Sequence, residues 1–204
     1  EIAELIMKLG ASTYSKSISF RVTQHQIEQV DGYDLVIIPD ADQVHNHLKP
    51  VVPRLTAPTI SLPPDATITG LSVTSGVSSS LGVLDIPASV EGPISLSGQV
   101  YTETNDVMGF YPDPNYAYDL SEHGDHTDVS VVVFPVRHNP ATGETWLWSS
   151  VDLELTFETE TPVVISAYSA DRSEYHIGET ISSTLLVENV SSEPLLGATA
   201  SLVV

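Results

Sequence analysis

The stretch whose reading decides the fold is Val129–Phe157, VSVVVFPVRHNPATGETWLWSSVDLELTF. It opens on a β-branched run, Val129–Val136, that is apolar on both faces and reads as a central strand buried from both sides. Asn139-Pro140-Ala141-Thr142-Gly143 follows. Pro140 presets φ for a turn corner and Gly143 can supply a positive φ at its end. The next run, Thr145–Phe157, alternates: Leu147, Val151, Leu153, Leu155 and Phe157 fall on one face by period two. The whole reads as a hairpin linking two long core strands. Trp146 and Trp148 fall on the opposite face with Asp152, Glu154 and Thr156, so a regular strand displays an aromatic platform suited to a protein partner or a sugar ring. The alternative is a bend at Ser149-Ser150, or coverage by a loop, that returns both rings to the core.

Outward from this hairpin the β pattern continues. Further strands are expected at Lys16–Thr23, Asp34–Ile38, Thr59–Leu62, Thr67–Thr74, Gly82–Ile86, Ser95–Thr102, Val163–Ala170 and Ile181–Glu188. Prolines 39, 50, 53, 58, 63, 64, 87 and 93 sit between these runs, where they cost no ladder hydrogen bond. Only Glu1–Leu9 has a helix-like spacing, with apolar residues at 2, 5, 6 and 9 and a stop at Gly10, and it can equally be a strand. Many short, turn-separated strands favour a sandwich or barrel over βαβ units. Phe110–Asp128, FYPDPNYAYDLSEHGDHTD, is polar and rich in Pro, Tyr and acid. It is expected to be a long surface loop, the kind that carries function. A Thr-rich break at Glu158–Thr161 with Pro162 marks a boundary. Three strands after it are too few for an independent sandwich, so they start a further module or complete the first domain.

With 204 residues there is chain for one full domain and part of a second. Against 27 acidic residues stand 7 basic ones, a formal charge of −20. That excludes nucleic acid, whose phosphates need Lys and Arg, and disfavours an anionic membrane surface. No apolar run approaches the roughly 20 residues of a spanning helix, so no membrane insertion is expected. There is no cysteine, hence no thiol nucleophile, zinc ribbon or disulfide framework. No G-x-S-x-G, H-E-x-x-H or phosphate-binding Gly loop is present, and among so many acids a carboxylate pair is uninformative. The segment is expected not to be an enzyme. It opens on Glu1 without Met or a signal-peptide pattern, as a processed product or excised piece would. Asn189-Val190-Ser191 is a glycosylation sequon.

The segment Tyr111-Pro112-Asp113-Pro114 and the run Val129–Phe157 resemble the propeptide of gingipain-type (family C25) cysteine peptidases. That pattern has a Tyr-Pro segment, an apolar strand ending in Pro-Val-Arg-Tyr-Asn-Pro-x-Thr-Gly, and a long alternating strand. Pro135, Val136, Arg137, Asn139, Pro140, Thr142 and Gly143 match, while His138 replaces the usual Tyr. Gly32–Pro39, Pro50–Pro53 and Ser61–Val73 fit the earlier segments, and the likeness spans roughly residues 15–160. It implies an all-β fold, an antiparallel β-sandwich over residues 1–160, with residues 161–204 resembling the start of an Ig-like (CARDB-type) module. It also implies a non-catalytic role. Such propeptides cover the active-site face of a cysteine peptidase, inhibit it, assist its folding and are removed on activation. The partner is then a peptidase domain in the same parent chain or in trans, and the location secreted or cell surface. In basic-specific relatives a Lys or Arg enters an acidic pocket. None of the seven basic residues here lies within 110–128, so Tyr111, Tyr116 or Tyr118 stands as the alternative. An Ig-like start where a catalytic domain should follow leaves a second reading open, a surface or adhesion module that binds protein or glycan, with Trp146 and Trp148 in contact.

No cofactor is assigned. His123, Asp125, His126 and Asp128 crowd one segment, and His45 and His47 share one face of an extended stretch. Either group can ligate a transition metal, and the alternative is a solvated polar loop. Calcium suits the acidity, but no D-x-[DN]-x-[DN]-G loop is present.

Overall fold

A computed structural model describes residues 12–90, 101–103, 105–160, 163–170 and 183–189. All regular elements among them are strands: β1 (Ser12–Arg21), β2 (Gln26–Val30), β3 (Tyr33–Ile37), β4 (Asp42–Val44) and β5 (Val52–Thr56). Next come β6 (Ile60–Leu62), β7 (Thr67–Val83), β8 (Ala88–Ser89), β9 (Tyr101–Thr102) and β10 (Tyr116–Glu122). The last are β11 (Thr127–Val133), β12 (Val136–His138), β13 (Glu144–Thr159), β14 (Val163–Ala170) and β15 (Ser183–Asn189). The expected all-β class holds, and the pairs are antiparallel.

Two sheets face each other. In the first, β13 is central: β7 runs along one side of it, and β1 and then β12 along the other. In the second, β11 is central, with β10 on one side and β5 and β6 on the other, and β4 beyond β5. The inner faces meet in one cluster of Ile18, Phe20, Leu62, Val129, Val131, Val133, Val151, Leu153, Leu155 and Phe157. A second cluster of Val36, Ile38, Val52, Ile86, Val136 and Leu147 closes the other end, and Leu55 packs against both. Each buried aliphatic side chain contributes on the order of 1.5–3 kcal/mol, so these two clusters hold the layers together.

The deciding hairpin folds largely as read. Leu147, Val151, Leu153, Leu155 and Phe157 are all buried. At the turn, the Gly143 and Thr142 N–H groups donate to the Asn139 carbonyl, and the Asn139 side chain accepts from Ala141 N–H. Gly143 has φ +72°, the positive value expected of it.

Four expectations need correction. Val129–Val136 is not one strand buried from both sides. In β11 buried Val129, Val131 and Val133 alternate with half-buried Ser130 and Val132, and Pro135 ends the ladder. The chain then crosses sheets, with Phe134 N–H donating to the Asn115 carbonyl and Trp148 N–H to the Pro135 carbonyl. Secondly, residues 110–128 are not a loop throughout, because β10 pairs with β11 from Tyr116↔Val133 to Glu122↔Thr127. Thirdly, Thr67–Thr74 and Gly82–Ile86 are not two strands. The Ser- and Gly-rich connection between them is strand as well, since β13 supplies its ladder partners all along β7. The pair slips at four bulges, with Thr69, Thr74 and Leu81 extra on β7 and Ser149 extra on β13, and such bulges bend and twist a ribbon. Finally, Pro53 lies inside β5, where the partner is the three-residue β4.

Strands β2, β4 and β5 were not expected. The β2–β3 hairpin turns at Asp31-Gly32, with φ +53° and +90°. Strands β14 and β15 pair antiparallel from Val163↔Asn189 to Ala170↔Ser183. The helix-like Glu1–Leu9, most of Ser95–Thr102 and the third strand after the boundary lie outside the described residues.

Candidate functional site

The β10–β11 hairpin gathers chemistry at its tip. The His123 N–H donates to the His126 carbonyl and closes a two-residue turn, Gly124-Asp125. Side chains of directly opposed residues in an antiparallel pair share a face. His126, just before β11, and Asp128, two residues on, therefore lie on the outer face with His123 across from His126. The imidazoles stack with ring centroids 4.5 Å apart. His123 Nε2 and His126 Nε2 each lie 3.6 Å from an oxygen of Asp128. Asp125 stands outside this trio, its Oδ1 accepting from His126 Nδ1–H at 2.7 Å. That bond holds the Asp125 carboxyl below its usual range. Ser61 Oγ donates to Asp128 Oδ1 at 2.6 Å. The histidines of the other proposed pair have separate partners: His45 stacks on Tyr101, while His47 bonds the Val90 carbonyl through Nδ1. Desolvation lowers the pKa of His45.

Trp146 and Trp148 are both half-buried rather than a free platform, and Trp148, beside the bulge at Ser149, packs against the first core cluster. Trp146 Nε1–H donates to Glu144 Oε1 at 2.8 Å. The Trp148 ring lies over Gly76, where an added Cβ would come within 2.3 Å of it. With Ser78, Phe110 and Arg137 the two rings line a pocket of about 170 Å³. Arg137 stacks on Phe110 at 5.4 Å and is held by Asp113 Oδ1 at 2.9 Å and the Pro112 carbonyl at 3.2 Å.

The three tyrosines have different surroundings. Tyr111 packs on the second core cluster, pairs through its backbone with His138, and accepts a hydrogen bond from Asn46. Tyr116 packs against the first cluster. Tyr118 is 42% exposed and, with Leu120 at 43%, leaves an apolar strip on β10. A groove of about 380 Å³ runs between Tyr116–Tyr118 and the start of β7, lined also by Ile68 and Leu71. Leu120 escaped the sequence reading; the alternation Tyr116, Tyr118, Leu120 was its signal.

Two charged or titratable groups tie the sandwich itself. Asp152 on β13 accepts from Ser19 of β1 and Ser75 of β7 and pairs with Arg21 at 2.7 Å. These bonds, Arg21 first, hold its carboxyl far below the usual range. His138 is buried in β12. Thr145 gives its hydroxyl proton to the Gly143 carbonyl, so its oxygen accepts from His138 Nδ1–H at 2.9 Å. Burial lowers the pKa of His138 to about 4.

The described residues thus define a two-layer antiparallel β-sandwich with polar chemistry confined to hairpin ends and outer faces. Among solved structures it is similar to the complex of the Porphyromonas gingivalis RgpB pro- and mature domains, with TM-score 0.58 and 19% identity, covering 74% of this chain and 83% of that one. It is also similar to the structure addressing the zymogenic latency of gingipain K from the same organism, with TM-score 0.54 and 15% identity, covering 72% and 92%. No protein-family model and no curated protein sequence matches the chain. The fold is that of a gingipain-type pro-domain, as the segment from Pro135 to Gly143 implied.

Proposed function

We propose that this chain is a non-catalytic, propeptide-like domain that binds a C25-type cysteine peptidase domain, holds it inactive and assists its folding. The observation that carries this reading is the sandwich shared over 74% of the chain with the RgpB complex, whose solved components are a pro-domain and its mature domain. The absence of cysteine fits a partner rather than a peptidase. The contact surface in this reading is the β10 side of the sandwich. Tyr118 and Leu120 present apolar area there, and the half-buried groove beside Tyr116 offers shape. Apolar and aromatic anchors of this kind dominate binding energy at protein interfaces. The charge of −20 steers the chain toward a basic face and makes association faster at low salt. A secreted or cell-surface setting goes with this role; no helix among the described residues is long and apolar enough to cross a membrane.

Titrating the chain against the C25-type peptidase domain encoded in the same genome tests the reading. Activity should fall stoichiometrically, and L120D combined with Y118A should weaken inhibition about tenfold or more. Full peptidase activity at molar excess, with no gain in refolding yield, would overturn it. The pocket between Phe110, Arg137, Trp146 and Trp148 favours a second reading, a surface module binding protein or glycan. In that case W148A removes binding to the ligand and the peptidase is untouched.

A further inference from the structure

We propose that the tip of the β10–β11 hairpin is a divalent transition-metal site, of the kind zinc fills, in which His123 Nε2, His126 Nε2 and one oxygen of Asp128 are the protein ligands. The site stands independently of the peptidase reading.

The first ground is distance. One ligand atom from each of His123, His126 and Asp128 lies within 4.8 Å of the other two, the only such group among the described residues. His123 Nε2 lies 3.6 Å from Asp128 Oδ2 and His126 Nε2 lies 3.6 Å from Asp128 Oδ1, both too long for a direct hydrogen bond. A tetrahedral zinc bound at about 2.0–2.1 Å sets its ligand atoms about 3.4 Å apart. To meet one ion through a single Asp128 oxygen the trio closes by up to about 1.4 Å on its longest edge, and the stacked rings turn so that both Nε2 lone pairs point at it. His123, with 44% of its side chain exposed, is free to make that move. Its Nε2 also meets Ser121 Oγ at 3.4 Å, a contact weak enough to yield.

The second ground is what lies behind the ligands. An ionised carboxylate can only accept, so the bond from His126 to Asp125 Oδ1 puts the imidazole proton on Nδ1 and turns the Nε2 lone pair outward. Histidine ligands are oriented by carboxylates in this way at zinc sites. Ser61 from β6 likewise fixes Asp128 Oδ1. The backbone supplies rigidity, since β11 is the central strand of its sheet and the turn is closed by the His123–His126 bond.

Two imidazoles and one carboxylate are a donor set for Zn²⁺ or Co²⁺ rather than for Ca²⁺, which takes six to eight oxygens. Three protein ligands leave a fourth position facing solvent for water. Bound metal would cross-link the two strands at the hairpin tip.

The test is titration of the full 204-residue chain with Co²⁺ alone, followed by visible absorption. One equivalent should give the intense d–d bands of a four-coordinate ion, bleached by Zn²⁺ and unaffected by excess Ca²⁺. H123A with H126A should abolish the bands. D125N, which removes no ligand, should weaken Co²⁺ binding roughly ten- to a hundredfold. Circular dichroism of each variant separates loss of the site from loss of the fold. Weak octahedral bands, or full binding retained in the double variant, would overturn the assignment.

Discussion

The hairpin that joins β12 to β13 and the one that joins β10 to β11 each carry histidine beside the turn, and they treat it in opposite ways. In the first, His138 lies in the core, neutral, with Thr145 as its partner and Gly143 at φ +72° closing the corner. In the second, His123 and His126 stand at the rim with two aspartates around them. The chemistry of the side chain is the same. The difference comes from position on the pleat: residue 138 faces the other layer, and residues 123 and 126 face away from it. A β-sandwich can therefore use one residue type as filler at one turn and as a group of ligand atoms at another.

The largest effect that would break this contrast is acid. His138 has its folded pKa depressed from 6.5 to about 4. Its neutral form is thus favoured by folding, and the contribution is full above pH 6.5. As pH falls from 6.5 toward 4 the unfolded chain takes up a proton that the folded chain refuses, and stability drops. At about 1.4 kcal/mol per unit the loss amounts to about 3 kcal/mol, complete near pH 4. Urea unfolding at several pH values should show it, and H138L should lack this part of the fall, so that its stability relative to the parent chain rises by about 3 kcal/mol across that window.

The next effect sharpens the comparison at the turns themselves. At Gly143 a Cβ would lie 2.7 Å from Val83 Cγ1 and 3.1 Å from the Leu84 carbonyl, in a backbone conformation that side chains avoid. G143A should destabilise the chain by about 2 kcal/mol. At Gly124 a Cβ meets nothing within 4 Å, so G124A should change stability by less than about 0.5 kcal/mol. Equal melting shifts for the two variants would erase the distinction between a packed turn and a free one.

What could be read from the residues follows the same line between packed and free. The face of β13 was legible because Leu147, Val151, Leu153, Leu155 and Phe157 keep strict alternation, and alternation is what burial of one face writes into a strand. The fold of the deciding hairpin followed, with Gly143 where the backbone needs it. The middle of β7 was not legible: Ser75, Gly76 and Ser78–Ser80 are small and polar on both faces, and they are strand only because β13, some seventy residues on, supplies the partners. Strand β10 was hidden by the prolines before it and by its edge position, which spares the alternation the usual demand for burial. The Asp31-Gly32 pair between Val30 and Tyr33 is a strong hairpin signal that went unused. At the hairpin tip His126 and Asp128 share a face at any strand register, but bringing His123 onto it requires knowing that residues 123 and 126 close a turn. Asp125 was grouped with the ligands, and only the fold shows it standing behind His126.

Strand β7 has one more consequence. It is a 17-residue sheet edge, Thr67–Val83, with no lysine, no proline and no charge of any kind along it, and among the described residues it pairs only with β13. Sheets usually guard such a border with charge, which salt screens. Here the guard is shape: four slips of register in one ribbon deny an incoming chain the straight template that fibrils copy. Shape does not depend on ionic strength. In brine that silences most of the −20 charge, this border should stay as inhospitable to self-stacking as it is in dilute buffer.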